Sequence, residues 1–174
     1  MCLNLNSLAP VTTERKMPPL TFAKLVAAAL PHIQELMPWD VDALRQTNPE
    51  LLIVDIREAD EYAAGHIRGS LLVPRGILES ACDWGYSDTI PALVQARDQL
   101  VVLVCRSGNR TALAALTLQQ MGYQRVISMK TGVRGWNDYE LPLHNAVGEQ
   151  VDIDLADEAL NPPVLPVQMP PKSQ

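Results

Sequence analysis

An α/β layered domain, with a mainly parallel central sheet flanked by helices, is the fold class this 174-residue chain predicts. Three observations carry it. The run Leu100-Val101-Val102-Leu103-Val104 is apolar at every position, the pattern of a strand buried on both faces, as strands of parallel sheets are. After a short polar loop, Ala112 to Met121 is rich in Ala and Leu and stops at Gly122. Such a stretch favours helix, and Gly is the residue that most often ends one. Apolar runs and helical patterns alternate from about residue 51 to 139, which implies parallel strands joined by helical crossovers.

The elements follow in order. Residues 1–19 hold Asn, Ser, Thr and three prolines and predict a loose lead-in. From Thr21, the apolar positions Phe22, Leu25, Val26, Ala29, Leu30, Ile33, Leu36 and Met37 recur at helical spacing. Pro31 is expected to kink or divide that helix. Asp40 reads as the N-cap of a second short helix that ends before Asn48-Pro49. Together these form an N-terminal helical segment over 20–48 that covers the core. A catalytic domain over about 40–144 then reads as a strand at 51–55, a helical turn at 58–64, a strand at 70–73 and a helix around 89–97. Next come a strand at 100–105, a helix at 111–121, a strand at 125–129 and a helical turn near 134–139. Residues 145–174, acidic and then Pro-rich, predict an extended or polyproline tail.

Composition narrows the classes of function. A net charge of −6 argues against general binding to nucleic acid or to anionic membranes. No apolar stretch is long enough to span a bilayer, and the first residues lack the pattern of a secretory leader. Three cysteines, Cys2, Cys82 and Cys105, form no framework and fit a reducing compartment, so a cytoplasmic location is expected. No Cys-x-x-Cys occurs and His32, His66 and His144 are scattered, so neither a metal site nor a cofactor is expected.

The loop Cys105-Arg106-Ser107-Gly108-Asn109-Arg110-Thr111 carries the chemistry. It places a lone cysteine at the carboxyl end of a buried strand, where ligands of open α/β sheets bind. It also stands at a helix N-terminus, whose unpaired N–H groups and dipole favour an anion. A thiol reacts as its thiolate, and helix N-termini and nearby cations favour that form. Arg106 and Arg110 supply two cations, and Gly108 lets the backbone turn its N–H groups inward. The loop could hold a thiolate, a persulfide or a thiophosphate-like adduct. The plainer reading makes Cys105 a small core residue, although a core cysteine has no need of two arginines and a glycine behind it.

Other segments join this loop. Upstream are Asp55-Ile56-Arg57-Glu58, Glu61-Tyr62, Gly65-His66-Ile67-Arg68-Gly69-Ser70 and Val73-Pro74; downstream are Gly132-Val133-Arg134-Gly135-Trp136 and Leu141-Pro142-Leu143. In this order the motifs resemble a single-domain rhodanese, of the rhodanese-like sulfurtransferase family. The resemblance implies that Cys105 takes a sulfane sulfur from a donor such as thiosulfate and passes it to cyanide, a thiol or a protein acceptor. Two departures look like scaffold: Thr131-Gly132 stands for the commoner Gly-Gly, and Leu72 for the Asn or His two residues before Pro74. Loop length separates the neighbouring reaction classes. Related phosphatases use Cys-x5-Arg, wide enough for phosphate. Here the spacing to Arg110 is Cys-x4-Arg, which suits one sulfur atom and leaves phosphatase or arsenate reductase as the lesser reading. A sulfur-relay or interaction module with little free turnover is the alternative of another class.

Supporting roles are expected for four further residues. Asp55 ends a strand beside Cys105 and is expected to brace the loop through its N–H groups, Arg57 or Arg110. His66 is expected to fix its turn rather than shuttle protons. Trp136 could wall the pocket or simply pack in the core. Arg110 is expected to curl back towards the sulfur and Arg106 to point to the rim, within a group that also includes Arg57, Arg68, Arg75 and Arg134. Cys82 could resolve a persulfide, but a buried bystander is the simpler reading. Oligomeric state is not legible.

Overall fold

The structure, a computed structural model, describes residues 19–170. Residues 1–18 of the 1–19 lead-in, Cys2 among them, and the last four residues lie outside that range. Five parallel strands form one sheet in the order β1-β5-β4-β2-β3. They are β1 (Gln34–Leu36), β2 (Leu52–Asp55), β3 (Leu71–Leu72), β4 (Leu100–Val104) and β5 (Arg125–Met129). The central strand β4 is apolar throughout because both of its faces are covered. Val101 and Leu103 belong to one core with Val54, Leu118 and Tyr123. Val102 and Val104 belong to the other, with Ile53, Met129 and Trp136. This period-2 division leads directly to the site: Cys105, next in line after Leu103, falls in the first core.

Eight α-helices are described: α1 (Phe22–Ala29), α2 (Pro38–Thr47), α3 (Ala59–Ala64), α4 (Leu78–Ala81), α5 (Pro91–Val94), α6 (Asn109–Gln120), α7 (Gly132–Asp138) and α8 (Ile153–Leu160). α6 presents Ala114, Ala115 and Leu118 to the first core. Its chain reverses at Gly122, whose φ of +93° is the left-handed conformation a helix stop uses. No helix among the described residues is long and apolar enough to cross a membrane.

The structure corrects four sequence readings. The helix expected to run on towards Met37 ends at Ala29, where Thr21 has capped its start, and a 3-10 turn spans Leu30–His32 around Pro31. Residues 34–36 are instead the edge strand β1, paired with Ile127–Met129. Asp40 is not an N-cap. Met37 occupies that position, Pro38 opens α2 with its preset φ, and Asp40 lies in the first turn, where its charge meets the helix dipole. The helix around 89–97 is shorter, covering only Pro91–Val94. The tail is not extended throughout: Asp152 accepts the N–H groups of Asp154 and Leu155 and starts α8. Ala156 and Leu160, one helical turn apart on α8, are buried in the second core. Beyond α8, residues 161–170 are exposed.

Candidate active site

The loop leaves β4 at Val104 and enters α6 at Asn109. Gly108 occupies the N-cap position with φ +86°, a left-handed conformation that glycine adopts without cost. That turn aims the Gly108 N–H at the Cys105 Sγ, 3.2 Å away. The Thr111 hydroxyl is 3.7 Å from the same sulfur, donates to the Gly108 carbonyl at 2.8 Å, and meets the Ser128 hydroxyl at 2.8 Å. Thr111 and Ser128 are fully buried, and Cys105 is 1 % exposed. The sulfur therefore sits at the floor of the loop, facing a backbone donor and the N-terminus of a twelve-residue helix.

A second helix holds the loop from behind. The first turn of α7 donates Val133 N–H to the Cys105 carbonyl at 2.8 Å and Arg134 N–H to the Arg106 carbonyl at 3.0 Å. This close approach requires glycine at 132, because a Cβ there would collide with the Cys105 carbonyl. The preceding Thr131 also takes a left-handed conformation, φ +62°, which is strained for a β-branched residue.

Asp55 stands in register with Val104 on the neighbouring strand. Of its expected partners it takes Arg57, not the loop N–H groups and not Arg110. Arg57 Nη2 lies 2.7 Å from Asp55 Oδ2, Arg57 Nε reaches both carboxylate oxygens, and the Arg57 N–H adds a backbone bond. Nη2 also donates to the Gly65 carbonyl at 2.8 Å, and the pair is completely buried. Arg110 pairs elsewhere. Both of its terminal nitrogens reach Glu61 at 2.7 Å, a two-point fork across 49 positions of sequence. The Arg110 guanidinium holds the Glu61 carboxyl below the usual carboxylate range, against the opposing effect of burial. Arg106 is exposed, and no described residue pairs with its guanidinium.

Two shallow cavities open over the loop. One is lined by Phe22, Glu61, Arg106, Ser107, Asn109 and Arg110, and the other involves Val26, Leu30, Glu35, Lys130 and Thr131 around Ser107–Asn109. Helix α1 thus walls both. The other expected supporting residues lie apart from them. His66 stacks on Tyr62 at 3.8 Å, and its Nδ1 is 3.0 Å from the Tyr62 carbonyl. Trp136 is fully buried in the second core, and its Nε1 donates to the Pro142 carbonyl; it lines neither cavity. Cys82 is buried in the first core, where burial pushes its thiol up. Among the described residues, no group of three or more His, Cys, Asp or Glu could hold a metal ion. Sequence reasoning missed Glu61, Ser128 and the N–H groups of α7. Only Glu61 left a signal, as the acidic residue of the Glu-Tyr pair.

Several known proteins are similar to this chain. A "Sulfurtransferase" of Allochromatium vinosum is 34% identical over 94 residues, 54% of this chain and 78% of that protein. YrkF of Bacillus subtilis, provisionally named a sulfur carrier protein, is 30% identical over 111 residues, 63% of this chain. The match spans only about half of YrkF, 52%. Among solved structures, a Rhodopseudomonas palustris protein described as of unknown function and a possible tyrosine phosphatase superposes with a TM-score of 0.66 at 32% identity. That superposition covers 74% of this chain and 99% of the other. A thiosulfate sulfurtransferase of Pseudomonas aeruginosa shares the fold, with a TM-score of 0.57 at 24% identity over 79% of this chain and 25% of that one. The Rhodanese-like domain matches residues 39–139, more than half of the sequence, and the chain belongs to that family.

Proposed function

We propose that this chain is a sulfurtransferase that carries sulfane sulfur as a persulfide on Cys105. The observation that carries the reading is the Gly108 N–H pointing at Sγ from 3.2 Å, at the mouth of α6. In the first half-reaction the Cys105 thiolate attacks the outer sulfur of thiosulfate. The S–S bond of the donor breaks, sulfite leaves with the electron pair, and a Cys–S–S⁻ group remains. In the second, cyanide or a thiolate, small or protein-borne, attacks the outer sulfur and returns the Cys105 thiolate. The loop residues Arg106 to Thr111 form the cradle, with Asp55 and Arg57 holding the Gly65 turn beside it. A reducing, cytoplasmic setting suits this chemistry.

Two observations weigh against phosphoester hydrolysis. The arginine that would chelate phosphate, Arg110, is already engaged at two points by Glu61, and the Cys-x4-Arg loop is one residue shorter than a phosphate cradle. A relay module that hands sulfur to a protein partner with little free turnover uses the same persulfide, and the donor and acceptor distinguish it. Thiosulfate treatment should add one sulfur to the protein by mass, and cyanide should remove it with release of thiocyanate. Cys105→Ser should abolish the gain while Cys82→Ser retains it. Aryl phosphatase turnover with no sulfur gained would overturn the reading.

A further inference from the structure

A third cavity adjoins the mouth on the side away from α1. Ala64 and Gly65 come from the end of α3, Ala156, Ala159 and Leu160 from α8, and Leu143 completes the wall. Arg106 and Glu61 line this cleft and also the polar cavity over the loop, so the two are contiguous across these side chains. The cleft is narrow, with a cavity volume of about 40 Å³. Small side chains leave that space, since Leu in place of Ala at 64 or 159 would fill it.

The helix that forms the cleft lies outside the family match, which ends at residue 139. It is firmly seated: Asp152 caps it, Asn137 Nδ2 donates to the Ile153 carbonyl at 3.0 Å, and Ala156 and Leu160 are buried. The charged side chains lining the cleft are mostly committed. Arg57 is occupied by Asp55 and the Gly65 carbonyl, and Glu61 by Arg110. Arg106 remains, exposed and with no partner among the described residues. The surroundings ask for a ligand that is negative at one end and aliphatic beyond it. Thiosulfate, charged and without carbon, has no use for the apolar wall.

We infer that the cleft between α3 and α8 seats the carbon chain of a short aliphatic thiol acceptor, with its thiolate facing Arg106 at the loop. The inference rests on the Cys105 persulfide proposed above. The thiolate attacks the outer sulfur of Cys105–S–S⁻, a new S–S bond forms to the acceptor, and the old bond breaks. Its electron pair returns to Cys105 as thiolate, and the acceptor leaves as an alkyl persulfide. No external oxidant or reductant is needed.

The test uses the full chain, loaded with thiosulfate and checked by mass. Discharge is then followed in single turnovers with 1-propanethiol, 2-mercaptoethanol and cyanide, the two thiols at equal thiolate concentration. These thiols differ by a methyl against a hydroxyl at the same place, a contrast an apolar cleft reads at about tenfold or more. Wild type should discharge about tenfold faster to propanethiol. Ala159→Leu and Ala64→Leu, at exposed helical positions that accept Leu, should each reduce that preference to about twofold or less without slowing cyanide. A wild type without the preference, variants that retain it, or variants that slow cyanide equally would overturn the inference while leaving the persulfide intact. Failure to load sulfur would overturn both.

Discussion

Two arginine–carboxylate pairs flank the end of β4, and they differ in how they meet solvent. Asp55 and Arg57 stand two positions apart in sequence and are completely enclosed, with side chains 0 % and 1 % exposed. Glu61 and Arg110 come from distant segments and remain 27 % and 30 % exposed at the mouth. The chemistry of the pairs is the same, and their surroundings assign the work. A buried pair is costly to assemble, but removing one partner leaves the other charge stranded in low dielectric. A pair left partly exposed is screened and costs less stability when broken, so in the proposed site it would mainly set the local field over the loop. In the proposed site the first pair would serve as a brace and the second as a tuner.

The largest effect should come from breaking the brace. Arg57→Ala leaves Asp55 buried without its cation and should cost about 3–5 kcal/mol of stability, read as a lower urea midpoint at unchanged slope. A midpoint close to wild type would erase the contrast between the pairs. Arg110→Ala should behave oppositely. Its stability cost should be about 1 kcal/mol or less, but the bare Glu61 carboxylate then faces an incoming dianion. Thiosulfate kcat/KM should fall by about 10- to 100-fold, an interaction change of about 1.4–2.7 kcal/mol. Adding Glu61→Gln to Arg110→Ala should recover much of that loss. A double variant as slow as the single one would make Arg110 a direct ligand of the donor.

The smallest effect is a pH dependence. Arg110 lowers the pKa of Glu61 from its ordinary 4.5. The unfolded chain therefore takes up a proton at higher pH than the folded one. The pair's stabilisation is fully present above 4.5 and is lost as pH falls through the depressed folded value. The stability gap between wild type and Glu61→Gln should be flat from about pH 6 to 8 and shrink on acidification below the ordinary carboxylate range. A gap that changes across the neutral range would point to another titrating group.

The contrast also shows what was legible before the structure. β4, the loop and α6 are contiguous, and each announces itself locally through an apolar run, a glycine turn or an Ala/Leu helix ended by Gly122. The Asp55–Arg57 brace spans two positions and was among the expected pairings. The Glu61–Arg110 fork spans 49 positions, and no local pattern reports it; hence the expectation that Arg110 would turn to the sulfur. β1 was missed because three residues on a sheet edge carry no period of their own, and Ile33, Leu36 and Met37 mimic helical spacing. α8 was missed because its acidic face was read as solvated chain. The signal was there, in Asp152 as a cap and Ala156 and Leu160 four apart.

The grip of α7 on the loop has a consequence for traffic. Cys105 and Arg106 are tied by their carbonyls to one rigid helix, while Gly108 is packed within 3.1 Å, measured from where a Cβ would stand, of the Thr131 backbone. The cargo bay is bolted down on both sides. In the proposed reaction these ties disfavour delivering sulfur by swinging the loop outward, so a visitor would travel inward to a stationary berth. Selectivity then belongs to the approach lanes, where the visitor meets α1 on one flank and α8 on the other before it reaches the dock.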